Sequence, residues 1–377
     1  MVKMDILAIT SLIICLITIS DHATGQAETQ YVEFSPPFTV WLTDSERIRL
    51  CKTPGMLDSE AFKELKKVAD ESMSIAPNPL DTIFYEGLVS NHPRRIETVR
   101  HLQDIIRLRA LTWCYVIGQD ELYGRRAADY LAAWADRYVP SGNDVNDNKL
   151  EFCFFAAEVL QPILNESEKA KIFRWLTAIA DAQRTRWKNG GAGNRLANRL
   201  KMVLMYSLLV ENPEYKSWAD EKLSLLMDEA FFPDGTTSDF HQRDAMHYHV
   251  SCVNNFLKVG LLYRVFGEDI YSRVNLQGGS VKKSVDFVIP YATGEKIHPE
   301  WVNTKVDLDR RRWLSGDPYY KPGKPWDPSG AGSMFRIGAV FDPALAQLDL
   351  QKSGGDEYED EWNILLLECI SRTCSGH

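Results

Sequence analysis

From Asp58 onward the chain carries a helical period with hardly an interruption, and that property leaves few architectures open. Apolar residues recur at steps of three and four at Ile96, Val99, Leu102, Ile105 and Ile106, and again at Ile172, Phe173, Leu176 and Ile179. Between such runs stand brief breakers: Gly118-Gln-Asp, Pro140-Ser-Gly-Asn, Asn189-Gly-Gly, Asn212-Pro and Gly267-Glu-Asp. The pattern predicts roughly ten to twelve helices joined by short loops. Strand alternation is lacking, with room for short strands only near residues 333–340. Residues 26–57, with Pro36-Pro37 and Pro54-Gly55, are predicted to be extended and irregular. Successive helices with short connections pack antiparallel, as hairpins. No fixed-period repeat marks a solenoid. The expected fold class is therefore all-α, an (α/α) toroid: an incomplete barrel of antiparallel helical hairpins with long lid loops. The segment 291–328 is rich in Pro, Gly and aromatic residues, and loops of that length usually serve as lids or binding walls.

The N-terminus has the form of a leader. Lys3 precedes an apolar run over residues 6–19, then Asp21-His-Ala-Thr-Gly-Gln, so residues 1–25 are expected to be a signal peptide cut near Gly25. A membrane anchor is the rival reading, but the run is shorter than the roughly 20 residues a spanning helix needs. Residues 26–377 are then expected to form a single domain, secreted or periplasmic, with no membrane partner once the leader is gone. A net charge of -9 and a pI near 5.5 speak against nucleic acid as a partner. They leave room for a local basic cleft and an anionic substrate. Of the cysteines beyond the leader, Cys114, Cys153 and Cys252 fall in apolar helical patterns that suit buried thiols. Cys51, Cys369 and Cys374 complete the set; the last two could bridge in an oxidising compartment.

Chemistry concentrates in residues 231–257, FFPDGTTSDFHQRDAMHYHVSCVNNFL, which place three of the eight histidines within nine positions. The turn Pro233-Asp234-Gly235 stops what precedes it. Asp239 and Gln242 have the spacing of a capping box for a helix that would carry His241, Asp244, Tyr248, Ser251 and Asn255 along one polar stripe. His247 and His249 fall on other faces from Tyr248. A second stretch, residues 189–199, is a glycine-rich turn leading into a helix on which Asn194 and Asn198, and Arg195 and Arg199, lie one turn apart. Such an N-terminus offers free N–H groups to a carboxylate or phosphate, although the Lys-Ser/Thr of a P-loop is absent. A third holds Tyr291, His298, Trp301, Arg310, Arg311 and Arg312, where an arginine run is more often solvated. A fourth is Ile83-Phe-Tyr-Glu-Gly, followed by Arg94 and Arg95.

This inventory lacks HExxH and G-x-S-x-G, which counts against a zinc protease or a serine hydrolase. It suits proton abstraction beside a carboxylate followed by β-elimination. Asn194 and Arg195, with Arg243, would neutralise the carboxylate. Tyr248 would be acid and a candidate base, with His241 supporting it or acting as base and His247 nearby. Asn198, Arg199, Tyr85, Trp301 and Arg312 would line the sugar-binding walls. The reaction needs neither metal nor organic cofactor. Two alternatives remain: a glycoside hydrolase with paired carboxylates drawn from Asp234, Asp239 and Asp244, and a non-catalytic glycan-binding protein.

The same residues carry a resemblance. FFPDGTTSDFHQRDAMHYHV is similar to the Asp-Gly…Arg…His-Tyr-His segment of the alginate-lyase superfamily of toroidal polysaccharide lyases. Tyr85-Glu-Gly, Leu111-Thr-Trp, Leu122-Tyr, Ala133-Trp and Gly142-Asn-Asp-Val-Asn-Asp-Asn-Lys extend the likeness over most of the chain. The resemblance implies a toroid acting on an acidic, uronate-containing polysaccharide such as alginate or glucuronan. It implies that Tyr248 is the catalytic acid, in some members also the base, and that His241 or Arg243 assists it. Better-known members carry an Asn-His pair where this chain has Asn194-Arg195. That departure places the base in question and points to the divergent branch that cleaves glucuronan and alginate.

Overall fold

The computed structural model describes residues 40–188, 191 and 193–348, and among them it is helical without strands. Fourteen α-helices follow one another among the described residues, with short 3-10 pieces of three to six residues interspersed. The leader, Cys369, Cys374, Asn189, Gly190 and Ala192 lie outside the described residues. Among the described residues no helix is long and apolar enough to cross a membrane.

Two local expectations are corrected. The stretch expected to be irregular contains α1 (Asp44–Lys52), opened by a capping box in which Thr43 accepts from the Glu46 N–H and Glu46 accepts from that of Thr43 at 2.8 Å. The place reserved for short strands is α14 (Gly332–Gly338), whose Met334, Phe335 and Ile337 are buried. So short an apolar run does not reveal its period, and packing against a neighbouring helix decides it.

The first half forms hairpins. α2 (Glu60–Ser72) packs on α4 (Gln103–Gly118), with α3 (Pro93–His101) leading into it; α4 turns at Gln119, in a left-handed conformation, into α5 (Glu121–Arg137). α6 (Phe152–Val159) is buried along its whole length, and α7 (Glu166–Thr185) begins on an Asn165–Glu168 capping box. The second half turns about α8 (Gly193–Leu209), which packs against α7, α9 (Pro213–Ala230) and α11 (Met246–Val265). From Leu196 to Leu209 every residue of α8 is buried, and α11 is nearly as enclosed. The polar residues that α8 encloses, Asn198, Arg199 and Lys201 among them, are paired within the protein. α10 (Ser238–Arg243), α12 (Val281–Ala292) and α13 (Asp307–Leu314) gather near the N-terminal end of α11. Gly235 shows why the Pro-Asp-Gly turn is needed there: its φ is +86°, and a Cβ would lie 2.6 Å from the Lys283 carbonyl. The four described cysteines are free thiols, with Cys114, Cys153 and Cys252 buried as expected.

Candidate active site

The polar stripe read along residues 241–255 is not one helix. The cap of α10 is Thr237, whose hydroxyl accepts from the Phe240 N–H, and not Asp239. The helix ends at Arg243, Asp244 takes a left-handed φ of 47°, and α11 starts afresh at Met246. The break separates the two residues the sequence put together. His241 is exposed, 2.8 Å from the Thr236 hydroxyl, which donates to Asp234. Tyr248 is in the first turn of α11 and buried.

The segment 298–305 grips this junction. Trp301 donates its N–H to the Asp244 carbonyl at 2.7 Å, and Asn303 donates backbone and side chain to the Asp244 carboxylate at 2.8 and 3.0 Å. Ala245, the cap position of α11, has no acceptor on its side chain, and Glu300 supplies the acceptors from outside. Its carboxylate accepts from Met246 N at 2.7 Å and His247 N at 3.4 Å. Burial pushes the Glu300 carboxyl up to about 8, against the two backbone N–H groups and with Asp244 adding to the rise.

Around Tyr248 the charges converge. The Arg243 guanidinium stands 3.9 Å from the ring centroid and pairs with Asp309, which Thr304 holds at 2.9 Å. Arg312 donates to the Tyr248 hydroxyl at 3.1 Å and to that of Tyr320 at 2.7 Å, so one guanidinium joins the two phenols. Burial raises the Tyr248 pKa, and Arg243 and Arg312 offset only part of the rise. Trp301, itself buried, packs with Ala245 and Tyr248, and Tyr320 lies against the three. His247 is half-buried with its Nδ1 2.7 Å from the Tyr319 hydroxyl; burial, then Arg243 and Arg312, lower its pKa to about 4, so the imidazole is neutral. The arginine run is therefore divided: Arg310 and Arg311 are exposed and Arg312 is buried.

The start of α8 approaches the same region through Asp239. This carboxylate accepts from Asn194 N at 3.0 Å and from Gly193 N, and so caps α8 rather than its own helix. A Cβ on Gly193 would lie 2.9 Å from Asp239 Oδ2 and 3.0 Å from Cys252 Sγ, which is why glycine opens the helix there. Asn255, two turns beyond Tyr248, donates to the Asn194 carbonyl at 3.4 Å. The Asn194 side-chain oxygen is buried without a hydrogen-bond partner. The three other α8 residues assigned to substrate are engaged within the protein. Arg195 forms a two-pronged pair with Asp144 at 2.6 and 2.8 Å and reaches Glu86 at 3.1 Å. Arg199 donates to the Gly142 carbonyl and to Gln183. Asn198 is buried, its oxygen 3.4 Å from the Lys201 ammonium.

Tyr85 faces a basic cluster. Lys149 and Arg95 sit 4.3 and 4.4 Å from its ring centroid, and Arg95 donates to its hydroxyl at 3.1 Å. Lys149, Tyr319 and Tyr320 carried no assigned role in the sequence; the Tyr-Tyr pair within the aromatic loop was the available signal. The carboxylates a hydrolase would need are committed elsewhere, Asp239 to the α8 cap and Asp244 to Asn303.

Comparison with known proteins bears on this arrangement. The family model for alginate lyase matches residues 63–298. An alginate lyase from Bacteroides ovatus superposes with a TM-score of 0.63 at 15% identity, covering 84% of this chain and 97% of its own. Alginate lyase A1-III from Sphingomonas species A1 gives a TM-score of 0.59 at 15% identity, covering 83% and 91%. A variant of that second lyase, in complex with a tetrasaccharide, gives 0.56 at 15%, covering 84% and 96%. Likeness at that identity speaks for the fold, a helical toroid. No curated protein matches the chain.

Proposed function

The chain belongs to the alginate lyase family and is a polysaccharide lyase, and from that premise we propose that it cleaves a uronate-containing glycan, alginate or glucuronan, with Tyr248 as the acid of the elimination. In this reaction the sugar carboxylate is neutralised, which acidifies C5–H. The C5–H bond breaks, its electron pair forms the C4–C5 double bond, the C4–O4 bond breaks, and O4 takes up a proton.

The observation that carries the reading is the environment of the Tyr248 hydroxyl. It accepts from the Arg312 guanidinium, which has donors only, so the phenol keeps a proton of its own to give to O4. Its raised pKa keeps that proton in place in the resting enzyme. In this scheme Arg312 and the side-chain N–H groups of Asn194 are the donors offered to the substrate carboxylate. Arg195 and Arg199 hold the 142–147 loop in this scheme, and Arg243 holds the Tyr248 ring. Trp301 supports that ring and is not a platform for sugar. Action outside the cytoplasm is part of the proposal and rests on residues 1–25 alone.

Alginate and glucuronan, each mixed with the purified protein, are expected to yield an unsaturated uronate that absorbs in the ultraviolet. No rise on either, or new reducing ends without the chromophore, would overturn the reading.

A further inference from the structure

The scheme above leaves the C5 proton without a recipient. His241 is turned outward to Thr236, and the residue after Asn194 is an arginine bound to Asp144 and Glu86. His247 has Nδ1 against Tyr319, and burial, with the cations around Tyr248 adding to it, makes it a weak base. We propose that Tyr85 is the base that takes the C5 proton and Tyr248 the acid that protonates O4, two phenols from different segments acting on one sugar. The proposal rests on the lyase reading and names a second residue in it.

Tyr85 is half-buried, and its backbone is fixed. Phe84 N donates to the Thr98 hydroxyl at 3.0 Å, and the N–H groups of Tyr85 and Glu86 donate to Asn146 Oδ1 at 3.3 and 2.8 Å. The ring lies between the Lys149 ammonium and the Arg95 guanidinium, and Arg95 also donates to the oxygen. Among the described residues neither cation has a carboxylate partner. The acidic residue next to Tyr85 in sequence, Glu86, is held by Arg195. Arg312 contributes a third charge from α13, and it is the same Arg312 that donates to Tyr248.

Cations around a phenol favour its phenolate, and the Tyr85 pKa is lowered, by Lys149 first, against burial, with Arg95 and Arg312 adding. Burial moves Tyr248 the other way. Two groups of one kind, displaced in opposite directions within a single site, divide the acid and base roles between them. In the cycle the Tyr85 phenolate accepts the proton from C5 and the electron pair passes reversibly into the neutralised carboxylate as an enolate; the pair then forms the C4–C5 double bond as the C4–O4 bond breaks, and Tyr248 gives its proton to O4. Afterwards Tyr85 releases a proton to water and Tyr248 regains one, so no other reactant is needed.

The test uses the full chain in D2O with a saturated mannuronate or glucuronate oligomer, whichever the unmodified enzyme cleaves. Loss of the C5–H signal is followed by NMR alongside formation of the chromophore. Tyr248→Phe is expected to stop the chromophore while C5 exchange continues. Tyr85→Phe, which keeps the ring between its cations, is expected to lower both by about 10²- to 10⁴-fold. Lys149→Met is expected to move the ascending limb of kcat against pH to higher pH, a change that a purely structural role would not produce. Exchange that survives in Tyr85→Phe and vanishes in Tyr248→Phe would give both roles to Tyr248 and overturn the proposal, as would a limb that stays in place in Lys149→Met. If the unmodified enzyme forms no chromophore on any uronan, it is the lyase reading that fails. Chromophore formation at an unchanged rate by Tyr85→Phe would defeat this inference alone.

Discussion

Replacing Glu300 by Gln is expected to flatten the dependence of stability on pH, by an amount that follows from where the carboxyl sits. Glu300 is 2% exposed and caps α11 from outside the helix, and its pKa stands at about 8 against an ordinary 4.5. Unfolding returns it to the ordinary value. Between the two values the folded protein holds a proton that the unfolded chain has released, so the free energy of unfolding declines as pH rises through that interval. At about 1.4 kcal/mol per pH unit, the whole interval is worth on the order of 5 kcal/mol. Glutamine cannot titrate and matches the protonated carboxyl in shape. The two proteins should therefore be nearly equal in stability near pH 4.5, and the wild type should be the weaker by pH 8. Urea denaturation of both proteins across this range measures the difference directly, and contributions from other groups cancel. Parallel curves would refute the reasoning, because they would mean that Glu300 is not buried against the α11 N-terminus.

Three further outcomes are expected. Tyr248→Phe should reduce chromophore formation by at least about 10²-fold while the circular dichroism spectrum and denaturation midpoint stay as they are; retained activity would remove the phenol from the mechanism. His241→Ala should leave kcat/KM within about twofold of wild type, since the imidazole faces Thr236 and not Tyr248. A large loss there would restore the role the sequence gave it. Asp239→Ala leaves the first N–H groups of α8 buried without an acceptor and should cost about 1–3 kcal/mol in urea denaturation, with Asp239→Asn costing less. An unchanged midpoint would show that α8 does not depend on this cap.

The fold was legible because helical periodicity is a local property, repeated in every segment from α2 to α12. It failed where the run was too short to reveal a period, at α14, and where a capping box lay hidden in a Pro-rich stretch, at α1. The site was legible in part. Tyr248 stood out by its neighbours in the sequence, and Arg312 and Tyr85 by composition. The pairing of Arg312 with the Tyr248 hydroxyl joins positions 64 apart, and no local pattern encodes it. The stripe from His241 to Asn255 misled because one residue, Asp244, takes a left-handed conformation that its own spacing does not reveal; its partners Trp301 and Asn303 come from much later in the chain. Arg195 and Arg199 were given to the substrate because sequence shows a charge but not the carboxylate or carbonyl already holding it.

The family match closes at residue 298, and Glu300, Trp301, Asp309, Arg312 and Tyr320 all come after it. A protein truncated there would still be recognised by its signature, yet it would lack the Glu300 brace on α11 and the Arg312 guanidinium that donates to the Tyr248 phenol. The signature thus contains the Tyr248 phenol but not the groups that brace and address it, and a chain can carry the first without the second.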